Sequence, residues 1–535
     1  MHRMAPDSNA AAPTDATLGR GGERSGLEKC AQAQGHSGLH AEAGQGAGAD
    51  RVLGPASLVA LGLGGLIGAG VFVTVGMAAH DKAGPAVVLS FLVAAVACIA
   101  VALCYCECAS RLPVAGSAYA YGRASIGAFG GWITGWNLAT CYLLAGAAVS
   151  QGWSGYFQSL LGAFGLSWPK SLSAAPFDID PSAGQFATTG SLLNLPALLA
   201  LAAVTFIAYR GIRVSLRVNL LLLLLKLSVL AIVIVVGLAH TDVRNWTPFA
   251  PFGYGGLSLK NLLGPLGGQS ALASTGMLAG ATTVFFAFGG FEMLSAYSHE
   301  CHAPRRDVPI GVIATICLLT LLYIGVAAAV IGMVPYDRIS VSAPISEAFR
   351  AAGMPWAQRL VAFGAVAGMS SVLLVVVMSL PRVLIAIGQD GLLPERVFNT
   401  IHPIYRTPAT SVLLVGLAAM LLGALLPLRF LMDAVMMATL ASYVAVCAFV
   451  LILRRRRSAP EPVFRAPLGP VVPAFGIAVC LMLMFSLPPI NWVWLGGWWA
   501  VGLLVYLAYG RKASARVRES RGLAVVEEAS VRPSL

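Results

Sequence analysis

Residues 61–73 read LGLGGLIGAGVFV, an apolar run broken up by Gly62, Gly64, Gly65, Gly68 and Gly70. Each glycine lowers helix stability by about 1 kcal/mol relative to alanine, and each lets backbone and ligand approach closely. The run is apolar enough to enter a bilayer and yet a poor continuous helix. A second stretch has the same character: residues 285–292 read FFAFGGFE, with Gly289 and Gly290 inside an apolar helix and Glu292 behind them. Small residues also let membrane helices touch, which accounts for any one of these glycines. Two glycine-interrupted spans at corresponding places of two halves are a different signal, the sequence pointer to a transporter site.

The rest of the chain supplies those halves. Hydrophobic residues make up 57% of the 535 and charged residues 11%, against about 25% charged in a soluble domain. Lipid must cover that much apolar surface. About twelve runs are long enough to cross the hydrocarbon layer. The interrupted stretches fall in the first run, 56–79, and the sixth, 275–298, which are equivalent positions if two five-helix halves repeat. The expected fold is an all-α polytopic membrane protein of about 12 transmembrane helices. It has a 5+5 inverted-repeat core with helices 1 and 6 broken, plus two C-terminal helices.

Charge orients it. The net charge is +12. With an even number of spans and both termini cytoplasmic, Lys and Arg divide 21 inside to 8 outside, as the positive-inside rule demands. No clustered basic face of a nucleic-acid binder is visible. Residues 1–50, rich in Ala, Gly and Ser, are expected to be a disordered cytoplasmic tail without the apolar core of a signal peptide. Residues 51–510 are expected to form the transmembrane domain and 511–535 a second cytoplasmic tail, and the protein is expected in a cytoplasmic (inner) membrane. The ten cysteines lie mostly in apolar runs and are expected to be reduced and buried. Cys104, Cys106 and Cys108 cannot all face one metal, and His299, Cys301 and His302 fit a membrane interface better than a soft-metal site. Neither metal nor cofactor is expected. A phosphate-cradling loop and a nucleophile–base set are both missing, which argues against ATP-driven pumping and against an enzyme.

A broken helix inside a bilayer is tolerated where it lines a cavity. The N-terminus of its second half offers free N–H groups and a positive dipole end to a carboxylate, and the unwound carbonyls can accept from an ammonium. That geometry suits a zwitterion, hence an amino acid. Lys226 stands near the middle of the fifth span, in LLLLLKLSVLAIV. A lysine there costs about 2.5–3.5 kcal/mol and is functional by default. Desolvation disfavours its charged form, so it is expected to gain and lose a proton and act as the coupling charge; a fixed cation bonded to carbonyls is the alternative. Glu107, Glu292 and Glu300 are candidates for a gate. Glu107 lies four residues before Arg111, the spacing of a structural ion pair, and the other two flank the end of span six, where an ordinary solvated loop is the competing reading.

Taken together, GLGGLIGAGVFVTVG at 62–76, the run 83–122, QGWSGYF at 151–157, FFAFGGFEMLSAYSHECHAPRRDVPIG at 285–311 and PRVLIAIGQDGLLPERVFNTIHPIYRTPATS at 381–411 resemble the cationic amino acid transporter family. That family lies within the amino acid–polyamine–organocation superfamily, and the likeness covers 51–511. It implies a substrate site where spans one and six unwind, on Leu66, Ile67, Gly68, Ala69, Gly70, Phe286, Ala287, Phe288 and Gly289. It puts the family's coupling lysine on Lys226. Three positions depart from the family: Ala69 replaces a common Thr, Gly289 a branched residue, and Cys141, before Tyr142, a Glu. The missing carboxylate points to neutral or broad amino acid substrates rather than cationic ones, with Met369 of span eight also near the pocket. The expected partners are an amino acid, a proton and the lipid bilayer. An exchanger, a polyamine carrier and a non-transporting amino acid sensor stay open as alternatives. A polyamine would need acids facing the cavity, and few are available.

Overall fold

Lipid leaves a backbone few choices, because each N–H and C=O must bond within its own segment or be covered by protein. The computed structural model describes residues 53–112, 117–180, 185–211, 216–256, 275–297, 301–398, 400–402, 404–405, 407–456 and 462–511. The expectations for the tails 1–50 and 512–535, for His299 and for Glu300 lie outside the described residues.

The helices run α1 (Pro55–Leu66), α2 (Ala69–Ala78), α3 (Val87–Arg111), α4 (Ser117–Ala163), α5 (Leu195–Arg210) and α6 (Leu216–Ala239). They continue with α7 (Met277–Phe285), α8 (Glu292–Ala296), α9 (Pro304–Met333), α10 (Pro344–Ala351) and α11 (Pro355–Gln389). The last are α12 (Ala409–Leu425), α13 (Leu428–Arg455), α14 (Val471–Phe485) and α15 (Pro489–Val505). Among the described residues each expected span falls mainly on helix. Among the described residues six helical runs are long and apolar enough to cross a membrane, and five apolar helices are shorter. The chain is an all-α polytopic membrane protein.

Local chemistry sets many of the ends. Proline opens α1, α9, α10, α11 and α15, a position where its missing N–H costs nothing. Asn194 caps α5 by accepting from the N–H of Ala197 at 3.2 Å, and Gly211, at φ 68°, ends that helix in the left-handed region. Within α4 the backbone leaves helical geometry at Ile126 and Gly127. Besides the short helix Glu395–Phe398, two elements have no counterpart among the expected spans. One is a two-stranded antiparallel hairpin between α4 and α5, β1 (Phe177–Asp180) with β2 (Gln185–Thr188). The other is α10, which precedes the eighth span.

Around the breaks, α4 packs against α11 and α13, α3 against α7 and α9, and α1 along α9. Leu221, Leu321 and Leu504 are exposed, as side chains that face acyl chains should be. The cysteines need one correction. Cys98, Cys104, Cys106, Cys108, Cys141, Cys301, Cys447 and Cys480 are buried, but Cys317 is exposed, because it sits on a side of α9 that no other described helix covers.

Candidate functional site

Both glycine-rich spans are interrupted. α1 stops at Leu66; Ile67 is extended at φ −71°, ψ 106°, Gly68 takes φ −167°, ψ −139°, and α2 begins at Ala69. In the sixth span α7 gives way to one 3-10 turn, Phe286–Phe288. Gly289 is then extended at ψ 134°, Gly290 has φ 109°, and α8 starts at Glu292. The φ of Gly290 is one that side-chain-bearing residues rarely adopt.

The two breaks lie against each other. A Cβ on Gly70 would stand 2.4 Å from the Cα of Ala287, so this is a backbone-to-backbone approach that a glycine makes possible. Leu66, Ile67, Ala69, Ala287 and Phe288 are all buried. The first helical bond of α2 runs from Phe72 N to Gly68 O, at 3.3 Å. The N–H groups of Ala69, Gly70 and Val71 precede it and have no acceptor within their helix.

In a continuous helix the carbonyl of Gly64 would accept from the N–H of Gly68. The break removes that donor, and Lys226 replaces it: its Nζ donates to Gly64 O at 3.1 Å. Lys226 is 1% exposed, and its stem packs on Gly368 of α11, where a Cβ would meet Cε at 3.3 Å. A hydrogen bond from a charged donor contributes about 1.5–3 kcal/mol, the same scale as the cost of placing a lysine at that depth. The negative end of the α1 dipole adds to it.

Three tyrosines unforeseen from the sequence complete the junction. Tyr323 of α9 is fully buried, with its hydroxyl 3.2 Å from Ala287 O and 3.4 Å from Leu66 O. Tyr443 of α13 donates to Glu292 Oε2 at 3.2 Å, and the same oxygen accepts from Gly290 N at 3.0 Å. Tyr156 of α4 donates to Phe72 O at 2.7 Å and accepts from Ile345 N at 3.3 Å, joining α2 to α10. The available signal was a tyrosine inside an apolar span, whose hydroxyl must find a partner there.

The other candidates sit as follows. Cys141 is buried on α4, its thiol toward Thr439 and Ser442 of α13. Met369 is buried on α11, with its sulfur beside Gly152 of α4. Glu107 has no exposed surface. Its Oε1 accepts from Arg111 at 3.1 Å and Arg454 at 2.9 Å, and its Oε2 from Ala466 N at 2.9 Å and again from Arg454. It ties α3 to α13 and to the segment leading into α14, and among the described residues it shares no hydrogen-bond partner with Glu292.

At the opposite end of α3 lies a second charged cluster that the sequence did not announce. Arg429 donates to both oxygens of Asp81, at 2.6 and 3.2 Å, and to Asp178 of the hairpin at 2.6 Å. Lys82 donates to Asp433 at 2.8 Å.

The family model described as amino acid permease matches residues 53–510. The branched-chain amino acid permease BcaP of Bacillus subtilis (strain 168) is 37% identical over 465 residues, 87% of this chain and 94% of that protein. The methylthioribose transporter of the same organism is 36% identical over 464 residues, again 87% and 94%. Cationic amino acid transporter 4 of Mus musculus is 34% identical over 433 residues, 78% of this chain and 62% of its own.

Proposed function

The chain belongs to the amino acid permease family of the amino acid–polyamine–organocation superfamily, and on that premise we propose that it imports amino acids across the cytoplasmic membrane by secondary active transport. The observation that carries this is the abutment of the two breaks, Gly70 against Ala287. It brings donors and acceptors of opposite character to one place. The free N–H groups at the start of α2 receive the substrate carboxylate. Carbonyls of the Phe286–Phe288 turn receive its ammonium. The side chains of Leu66, Ile67, Ala69, Phe286, Ala287 and Phe288 are apolar, and Cys141 supplies no charge. Glu292 is turned to Gly290 and Tyr443. A cationic side chain would therefore lack a carboxylate partner, which favours neutral or broad amino acids.

Coupling falls to Lys226. Charged, it holds α1 against α6 and α11 through Gly64; once it releases its proton, that bond weakens and α1 is freer to move. Protons then accompany substrate inward, with both termini on the cytoplasmic side. Glu107, Glu292 and Glu300 remain the proposed gate, with Glu107 held by Arg111 and Arg454.

Uptake into reconstituted vesicles of a panel of labelled amino acids, with and without an inward proton gradient, tests the reading. Neutral amino acids should enter faster with the gradient. One observation favours a second substrate class: a relative of nearly equal similarity is a methylthioribose transporter. Labelled methylthioribose belongs in the panel, and its uptake without that of any amino acid would sink the amino acid assignment.

A further inference from the structure

We propose that Tyr323 is a positioning residue for the substrate ammonium, its hydroxyl fixing the direction in which the two broken helices present the carbonyls of Leu66 and Ala287. The inference rests on the amino acid reading above and adds the group that gives the site its demand for an amine.

The geometry is specific. Tyr323 comes from α9, an element belonging to neither break, yet its hydroxyl reaches one carbonyl from each, at 3.4 Å and 3.2 Å. Both carbonyls stand where helical bonding has ended. Leu66 is the last residue of α1, and Ala287 is the middle of a single 3-10 turn followed by extended Gly289. Neither has a continuing helix to set its orientation. The ring cannot wander, because it is fully buried between Phe91 at 5.7 Å and Phe288 at 5.6 Å.

A phenol carries one proton, and each carbonyl oxygen has two lone pairs. Tyr323 therefore occupies at most one lone pair of each oxygen and leaves another on both. An ammonium carries several protons and can serve both oxygens at once. A hydroxyl in its place carries a single proton and can serve one. Preorganised acceptors of this kind discriminate because a ligand without the matching donors leaves buried oxygens unpaired. Without the tyrosine hydroxyl the acceptors keep their atoms and lose their common aim.

The test compares L-leucine with its α-hydroxy analogue, which is identical in side chain and carboxylate and lacks the amine. Affinities of both are measured for purified wild-type protein and for Tyr323→Phe, which keeps the ring between Phe91 and Phe288. Wild type should prefer leucine, and in Tyr323→Phe that preference should shrink by about tenfold, with affinity for the hydroxy acid nearly unchanged. Unchanged hydroxy-acid binding also reports an intact fold. A variant with the wild-type preference overturns the proposal alone. So does one that loses both ligands equally, since that is the behaviour of a brace. A wild-type protein that binds neither, or shows no preference for the amine, overturns the functional reading and this inference together.

Discussion

Lys226 donates to the carbonyl of Gly64 at 3.1 Å, and that carbonyl is the acceptor Gly68 would have used had the first span continued as one helix. A side chain from the fifth span thus completes the bonding of the first. The relationship explains how a break is sustained in a bilayer: the orphaned acceptor is met by a charged donor whose own burial that bond helps offset. Strength of the α1–α6 contact and charge on Lys226 become one variable.

Lys226→Met tests that coupling directly. The methionine keeps an apolar stem beside Gly368 and removes the donor. Uptake should lose its dependence on a proton gradient, and the unpaired carbonyl should cost about 1–3 kcal/mol of stability. Lys226→Arg keeps a charge that cannot be released and should leave a folded protein with little uptake. Gradient-stimulated transport by either variant, measured in vesicles, counts against the lysine as the coupling group.

Gly70→Ala should abolish uptake. Its methyl would lie 2.4 Å from the backbone of Ala287, which cannot yield without separating the breaks. Gly65→Ala is the internal control: nothing lies within 4 Å of its Cβ position, and alanine gains about 1 kcal/mol in helix propensity there. Transport and thermal unfolding of both variants check the pair, and equal activity of the two would contradict the close-approach argument.

Glu107→Gln removes the charge that Arg111 and Arg454 share. Breaking a buried ion pair by neutralising one partner costs about 3–5 kcal/mol. The melting temperature in detergent should drop markedly. A variant as stable as wild type would mean that water reaches this cluster.

The cluster at the other end of α3 should divide by exposure. The Asp81 side chain is 4% exposed and that of Asp178 is 43%. Asp81→Asn should cost several kcal/mol, in the range of about 3–5, whereas Asp178→Asn should cost at most about 1 kcal/mol and less at high salt. Unfolding curves at two ionic strengths settle the order, and a reversed order would show that the hairpin contact dominates.

How much of this was legible differs residue by residue. The breaks at Ile67–Gly68 and Phe286–Gly290 could be read because glycine content and apolarity are local properties of a segment. Lys226 could be read because a lone cation among leucines is conspicuous at any depth. Glu107 was half legible: the Arg111 spacing is local, but Arg454 lies 347 positions away. Tyr323 was not legible as a bridge, being 257 positions from Leu66, nor was Arg429 as the partner of Asp81, 348 positions off. The hairpin escaped because four-residue strands in a polar connection carry almost no periodic signal.

The amino-acid sequence alone determined that this chain lives in lipid, that its spans are helical, and that two of them are poor continuous helices, because each of these follows from the solvation and backbone preferences of contiguous residues. Only the tertiary structure decided which group answers each broken end: Lys226 for Gly64, Tyr323 for Leu66 and Ala287, Glu292 and Tyr443 around Gly290. Those pairings depend on how helices far apart in sequence are brought within hydrogen-bonding distance. Inside a bilayer, a peptide group freed from its helix is tolerated where protein covers it or where it lines a cavity, and such pairing supplies the first.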